Sequence, residues 1–350
     1  MWVLLRRWFK QKTGTAVRFF RWQEAGRSRF LVARFKDPQA TVHFGLLRRH
    51  LELGYRLYLP SGSSGRDSLP LIVMLHGCRQ DPLSFAEGTR MNTRAEEARC
   101  AVLYPAQSKR SNPLRCWNWF EPASLMGQGE AALIARLIAQ VAQRRPIDPR
   151  RIYVVGMSAG GAMACILAVR HSPLFAACAI HSGVMCGAAS SSMEALDAMR
   201  SGPSPASIEA ARRVVCRADE SEVMVPTLVI QGDRDTTVNP VNADQIIEQL
   251  RFRAECTNPS AGALLESGER RLNSGGRTYR QQDFMRQGRI VLRKILVEGL
   301  GHAWSGGDTH YEFNDAAGPD ATRLILDFIL QHQREISPIQ TASAGAQSGG

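Results

Sequence analysis

Apolar and polar positions along this chain follow two periods that take turns. "LELGYRLYLPSG" (51–62) alternates apolar and polar residues, as a strand with one buried face does, and runs into the turn cluster "PSGSSGRDS". "LPLIVMLHG" (69–77) is a continuous apolar run bounded by Pro70 and Gly77, which predicts a strand covered on both faces. From Ser84 to Arg99 the spacing becomes helical, and "CAVLYP" reads as the next strand, stopped by Pro105. In "GQGEAALIARLIAQVAQR" the residues Ala131, Ile134, Leu137, Ile138 and Val141 share one helical face. "RRIYVVG" predicts a strand, and "AGGAMACILAVRH" a helix ended by Pro173. "FAACAIHSG" and "VPTLVIQGD" are further strands. "RTYRQQDFM" and "RIVLRKILVEG" flank a short turn at Gln287–Gly288 and predict a hairpin. "GPDATRLILDFILQH" is a closing helix with Pro319 and Asp320 in its first turn.

Strands alternating with helices imply an α/β fold with a mainly parallel sheet and helices on both faces. The chain has 350 residues, 44% of them apolar, enough for a sizeable core. No apolar run approaches the ~20 residues that a membrane-spanning helix needs.

Charge changes the picture at one end. Residues 1–36 carry ten Lys or Arg against Glu24 alone, so +9 of the net +12 resides there and the body holds only +3. The same stretch holds Trp2, Trp8, Phe9, Phe19, Phe20, Trp22, Phe30 and Phe35. We expect an N-terminal arm over 1–45, a catalytic domain over 46–335 and a disordered small-polar tail over 336–350. A basic aromatic arm suits an anionic membrane or a lipid-coated granule. The other reading is a leader, or a helix packed on the body. No nucleic-acid motif accompanies the charge, so nucleic acid is not expected as a partner. "WVLL" is too short for the apolar part of a secretory signal, and Arg6 and Arg7 follow it rather than precede it. Eight cysteines occur without any C-x-x-C pair, which points to buried thiols and a cytoplasmic setting.

In parallel α/β sheets the chemistry lies outside the carboxyl ends of the strands. The residues there are His76-Gly77-Cys78, Ser158, His181-Ser182-Gly183, Asp233 or Asp235, and His302. Ser158 sits in G-M-S-A-G between a predicted strand and a predicted helix, the setting of a nucleophile elbow. Glycines on both sides allow the sharp bend that lifts the hydroxyl above the sheet. An acid and then a histidine follow on later strand ends, in the order that suits a serine hydrolase. "QGDRDTTV" offers two acids. Asp235 stands deeper in the loop, where a carboxylate can turn back toward His302, while Asp233 suits hydrogen bonds to loop amides. His302 lies in the glycine-rich "VEGLGHAWSGG", where an imidazole can approach the serine. Oxyanion donors are expected from the N–H of Ala159, just after the nucleophile, and from the loop after "LIVMLHG", with Cys78 favoured. His76 is then a satisfied ring supporting that loop. No H-E-x-x-H and no phosphate-binding glycine loop is present, so neither a metal nor a cofactor is expected.

These residues, with "PLIVMLHGCRQDPLSFAEGTRMN", "LYPAQS", "NPLRCWNWFEP", "RRIYVVGMSAGGAM", "QGDRDTTVNP" and "VEGLGHAWSGG", resemble the polyhydroxybutyrate depolymerase-type esterases. That α/β-hydrolase family is itself similar to feruloyl and acetylxylan esterases. The resemblance implies a serine esterase acting on oligomeric or polymeric hydroxyalkanoate esters, with Ser158, Asp235 and His302 as its triad. It also implies that Cys78 and Cys116 lie close enough for a disulfide. Trp117, Trp119 and Trp304 fall in the matching loops, where flat rings either hold the substrate or pack the loops. Two rival readings stand beside this one: a carbohydrate-acyl esterase, and a non-catalytic protein that binds a granule or membrane surface. The resemblance includes neither a binding module nor the basic arm.

Overall fold

The computed structural model describes residues 28–44, 47–216, 224–257 and 262–335. In chain order its elements are β1 (Arg29–Phe44), β2 (Leu47–Leu59), β3 (Leu69–Leu75), α1 (Pro82–Thr89), α2 (Met91–Glu97), β4 (Ala101–Ala106), α3 (Pro122–Leu125), α4 (Gly129–Arg144), β5 (Ile147–Met157), α5 (Ala159–Arg170) and β6 (Ala177–His181). There follow α6 (Ser192–Ser201), α7 (Pro205–Cys216), β7 (Thr227–Gly232), α8 (Val241–Thr257), β8 (Leu265–Glu266), β9 (Arg270–Ser274), β10 (Arg277–Arg286), β11 (Arg289–Val297), β12 (Trp304–Ser305), β13 (Asn314–Asp315) and α9 (Ala321–Ile329).

The main sheet runs β1-β2-β4-β3-β5-β6-β7-β11-β10-β8, with β9 paired to β10. Its six central strands, β4 to β11 in that order, are parallel, and both flanks are antiparallel. The expected mainly parallel central sheet is present, with antiparallel strands added at both edges. β3 explains why its sequence is unbroken in apolarity. Leu71, Val73 and Leu75 enter one core with α4, α5 and α8, while Ile72 and Met74 enter a second core with α1, α2 and α9. A strand sandwiched this way has no face left for a polar side chain.

The domain boundary falls earlier than expected. β1 pairs with β2 from Arg29↔Leu59 onward, Phe35 is buried, and fully buried Asp37 accepts a hydrogen bond from Arg136 of α4. Strand alternation sends Arg34 and Lys36 outward, where both pair with Glu52. Residues 29–44 thus belong to the sheet, and part of the charge assigned to an arm is cross-strand pairing. The remainder of the expected arm (1–27) and the tail (336–350) lie outside the described residues. Among the described residues no helix is long and apolar enough to cross a membrane. The helix expected over 84–99 is two helices, because Arg90 adopts a left-handed φ of 55° between them.

Candidate active site

The elbow is built by close approach of backbone. β5 ends at Met157, Ser158 takes φ 56° and ψ −123°, and α5 begins at Ala159. A methyl group on Gly156 would stand 2.1 Å from the Gly160 carbonyl oxygen, and one on Gly160 would stand 2.0 Å from that of Leu75. Both contacts are with main chain, which has no rotamer to move away, so only glycine fits at either position. The Ser158 N–H donates to the His181 carbonyl at 2.9 Å, fixing the bend to the neighbouring strand β6. A non-glycine residue held at such a φ stores on the order of 1 kcal/mol or more, which the surrounding bonds must supply.

The acid and the base are brought together by two zipped loops. After β7, the Asp233 N–H donates to Val297 O at 3.1 Å and the Arg234 N–H to Leu300 O at 3.0 Å. The Asp233 carboxylate accepts the Gly299 N–H at 2.7 Å, so this acid holds loop amides as its position in the sequence suggests. Gly232 permits the approach, since a methyl there would lie 2.3 Å from Leu300 O. The next acid, Asp235, is buried, and its Oδ2 meets His302 Nδ1 at 2.7 Å. Asp235 also accepts from the N–H groups of Thr237 (2.9 Å) and Val238 (2.8 Å) and from Gln231 Nε2 (3.0 Å). Burial by itself would push this carboxyl up, but the hydrogen bond and charge of His302 and the two amides outweigh it, and the group sits below the ordinary carboxylate range. An ionised carboxylate only accepts, so Nδ1 carries the imidazole proton and Nε2 is left bare as a base. Among the described residues the Ser158 hydroxyl makes no hydrogen bond to His302; the contact that is closed is the one between His302 and Asp235.

The third loop follows β3. Gly77 lies against the nucleophile: a methyl on it would come within 3.4 Å of Ser158 Cβ. The Gly77 N–H is taken by Gln80 Oε1 at 2.8 Å and the Arg79 N–H by Leu114 O at 2.6 Å. Between them, the Cys78 N–H has no protein acceptor among the described residues. The Ala159 N–H, at the first position of α5, has no intrahelical acceptor either. These are the two amides expected to meet an oxyanion.

His76 supports this loop from beneath. It is buried, its Nε2 accepts the Gln107 N–H at 3.2 Å, and its Nδ1 donates to Gly77 O at 2.8 Å. Burial lowers it to about 4, so the ring is neutral near neutral pH. Cys78 and Cys116 form a disulfide that ties the loop to the "CWNW" segment.

The tryptophans do not form a substrate platform. Trp117, Trp119 and Trp304 are 1%, 3% and 1% exposed, so no ring face is open to a ligand. Trp117 donates its Nε1 hydrogen to His76 O at 3.1 Å, and Trp119 packs edge-on to Phe120. Trp304 stacks on His181 at 5.0 Å and donates to Thr322 Oγ1 at 3.0 Å. All three rings bury a large apolar area, and Trp117 and Trp304 also place their one polar atom on a partner, which is how tryptophan locks a loop.

Two residues that shape the site were given no role by the sequence reading. His181 was visible only as a strand-end histidine. It is fully buried, its carbonyl anchors the elbow, and burial, with the nearby His302, lowers it to about 3. Phe313 carried no signal at all; its ring stands edge-on to His302 at 6.3 Å.

An elbow serine at the end of a parallel strand, followed in the chain by a bonded Asp–His pair in the loops after later strands, defines the class: this is an α/β-hydrolase. Among solved structures, an acetyl xylan esterase from Aspergillus awamori has the same fold, with a TM-score of 0.59 at 18% identity over 78% of this chain and 94% of that one. A family profile described as "Esterase PHB depolymerase" matches residues 53–273, and the chain belongs to that family. A poly(3-hydroxyalkanoate) depolymerase C of Paucimonas lemoignei is 33% identical over 197 residues, 55% of this chain and 46% of that protein. A feruloyl esterase B of Neurospora crassa is 34% identical over 116 residues, 33% of this chain and 39% of that protein. The chain spans less than half the length of these two relatives.

Proposed function

We propose that this chain is a serine esterase that cleaves hydroxyalkanoate esters through an acyl-enzyme. Ser158 Oγ attacks the ester carbonyl while His302 Nε2 takes its proton, and Asp235 steadies the imidazolium that forms. The negative oxygen of the tetrahedral intermediate accepts from the N–H groups of Cys78 and Ala159. As the intermediate collapses, His302 returns the proton to the departing alkoxide and the alcohol leaves. Water then attacks the acyl-serine with His302 again as base, releasing the acid and restoring Ser158. An open Ser–His contact is compatible with this, because such bonds often close only around substrate.

The observation that carries the reading is the 2.7 Å bond from His302 to a buried, ionised Asp235, beside a serine held out by a glycine-flanked elbow. Hydroxyalkanoate esters are favoured by the family and by the depolymerase relative. The feruloyl esterase, 34% identical over a shorter stretch, supports a second reading, an esterase that releases acyl groups from carbohydrate. A panel of hydroxybutyrate oligomers, feruloyl and acetyl sugar esters and a short p-nitrophenyl ester tests both. Ser158→Ala is expected to lower kcat by about 10⁴ to 10⁶ on every ester that is turned over, with the fold intact. Turnover retained by the variant sinks the assignment, and preference for sugar esters selects the second reading.

A further inference from the structure

Beside the site is a cleft of about 280 Å³ lined by Arg79, Lys109, Pro113, Leu114 and Arg115. The disulfide builds it. Arg79 follows Cys78, Arg115 precedes Cys116, and the two segments are joined by the 2.6 Å bond from Arg79 N–H to Leu114 O. Both arginines take left-handed backbone, with φ 65° and 55°. From the cleft to the catalytic base is one aromatic ring: the Arg79 guanidinium lies 5.6 Å over Phe313, and Phe313 meets His302.

The charge there is only partly cancelled. Arg79 pairs with Glu312 at 3.1 Å and Arg115 with Asp81 at 3.2 Å. Exposed Lys109 has no acidic partner among the described residues. Three cations against two acids leave one positive charge beside the oxyanion loop, which suits a single carboxylate better than a dianion.

We propose that this cleft binds the free carboxylate of the leaving hydroxy acid. The inference rests on the ester reading above and goes beyond it, since it names which ester bond is favoured. In a hydroxy-acid oligomer only the last residue ends in a free carboxylate, and that group lies a few bonds beyond the ester oxygen. An ester whose leaving part carries the anion is held by the scissile bond at Ser158 and by the charge at Lys109 and Arg79. Short oligomers are then cut at the carboxyl end.

The test compares a hydroxybutyrate dimer bearing its free carboxylate with the same dimer capped as the neutral primary amide. Wild-type enzyme should favour the acid by about fivefold to tenfold in kcat/KM at low salt, mostly through KM, and lose the preference in 0.5 M salt. Lys109→Gln should bring the ratio near one, and Lys109→Glu should invert it. Lys109 is exposed, so neither change threatens folding. Equal rates on acid and amide in the wild type, or a ratio untouched by both variants, overturns the cleft while the esterase reading stands. Failure to cleave either dimer while the p-nitrophenyl ester is turned over also overturns the cleft, and failure on every ester of the panel overturns both.

Discussion

Two sides of the site hold their groups in different ways. On the acid–base side the backbone does most of the positioning. Gly156, Gly160 and Gly232 let main chains approach so closely that a single methyl would clash, and loop amides zip 232–235 onto 297–300. On the oxyanion side the backbone turns through left-handed residues at Arg79 and Arg115, and side chains share the work of holding it. His76 and Gln80 bond the Gly77 carbonyl and N–H, Trp117 bonds the His76 carbonyl, the main-chain N–H of Gln107 holds the His76 ring, and the Cys78–Cys116 bond closes the loop covalently. Glu130 on α4 extends the same network, accepting from Gln107 Nε2 and from the Asn118 N–H. Geometry set by steric exclusion survives the loss of any one side chain. Geometry set by a chain of hydrogen bonds fails piecemeal.

The largest effect that sharpens this contrast is expected at the acid. Asp235→Asn keeps the volume but replaces a pure acceptor by an amide that can present N–H to His302. The imidazole then shifts its proton to Nε2 and ceases to be a base toward Ser158. A loss of about 10⁴ in kcat is expected, with KM nearly unchanged. A stopped-flow assay of acyl-enzyme formation checks it; a loss under tenfold would mean that the carboxylate is structural.

The contrast also explains what could be read from the chain alone. The elbow at Ser158 and the pairing of Asp235 with His302 were legible because strain and proton transfer leave short local signatures: glycines around a serine, an acid in a turn after a strand, a histidine among glycines. Choosing Asp235 over Asp233 rested on its place in the loop together with the family resemblance, and the structure gives Asp233 to the Gly299 amide. The hairpin turn at Gln287–Gly288 was legible too, because two consecutive residues there need positive φ (51° and 75°). The tryptophans were misjudged because sequence shows an aromatic ring in a motif but not which way it faces. Burial of Trp304 depends on His181 and Phe85, more than a hundred residues upstream. Helices α6, α7 and α8 went unread; α6 and α7 carry much polar surface and bury few residues. Strand β1 was masked by its cations, whose partner Glu52 lies on the next strand.

A smaller effect is expected where the oxyanion loop is closed. Cys116→Ser leaves every catalytic residue in place but frees a 38-residue loop. Stability should fall by about 2–4 kcal/mol in denaturant melts. Because the Cys78 N–H is then less well aimed, kcat should fall by about tenfold to a few hundredfold while KM changes little, the signature of one weakened oxyanion donor. Unchanged kcat would show that the hydrogen bonds at Gly77 and Arg79 suffice without the covalent link.

The smallest effect separates the two sides by pH. His76 has its folded-state value lowered to about 4 by burial, below the ordinary value near 6.5 of an unfolded chain. Its contribution to stability is therefore complete above pH ~6.5 and is lost as pH falls toward 4, because the unfolded state takes up the proton first. Asp235, with its pKa depressed, gives up its contribution only below the ordinary carboxylate range. Mild acid should loosen the oxyanion loop while the Asp–His bond still holds. His181 and His332, lowered to about 3 and about 4 by burial, add slope of the same sign. One variant must therefore be read against the rest. His76→Gln retains an amide for Gln107 and Gly77 but cannot titrate. Its unfolding free energy between pH 6.5 and 4.5, from denaturant melts, should fall less steeply than that of the wild type, by on the order of 1 kcal/mol per pH unit. Parallel slopes would mean that His76 takes up its proton in the folded state, and that the loop over Ser158 is not held by a neutral ring.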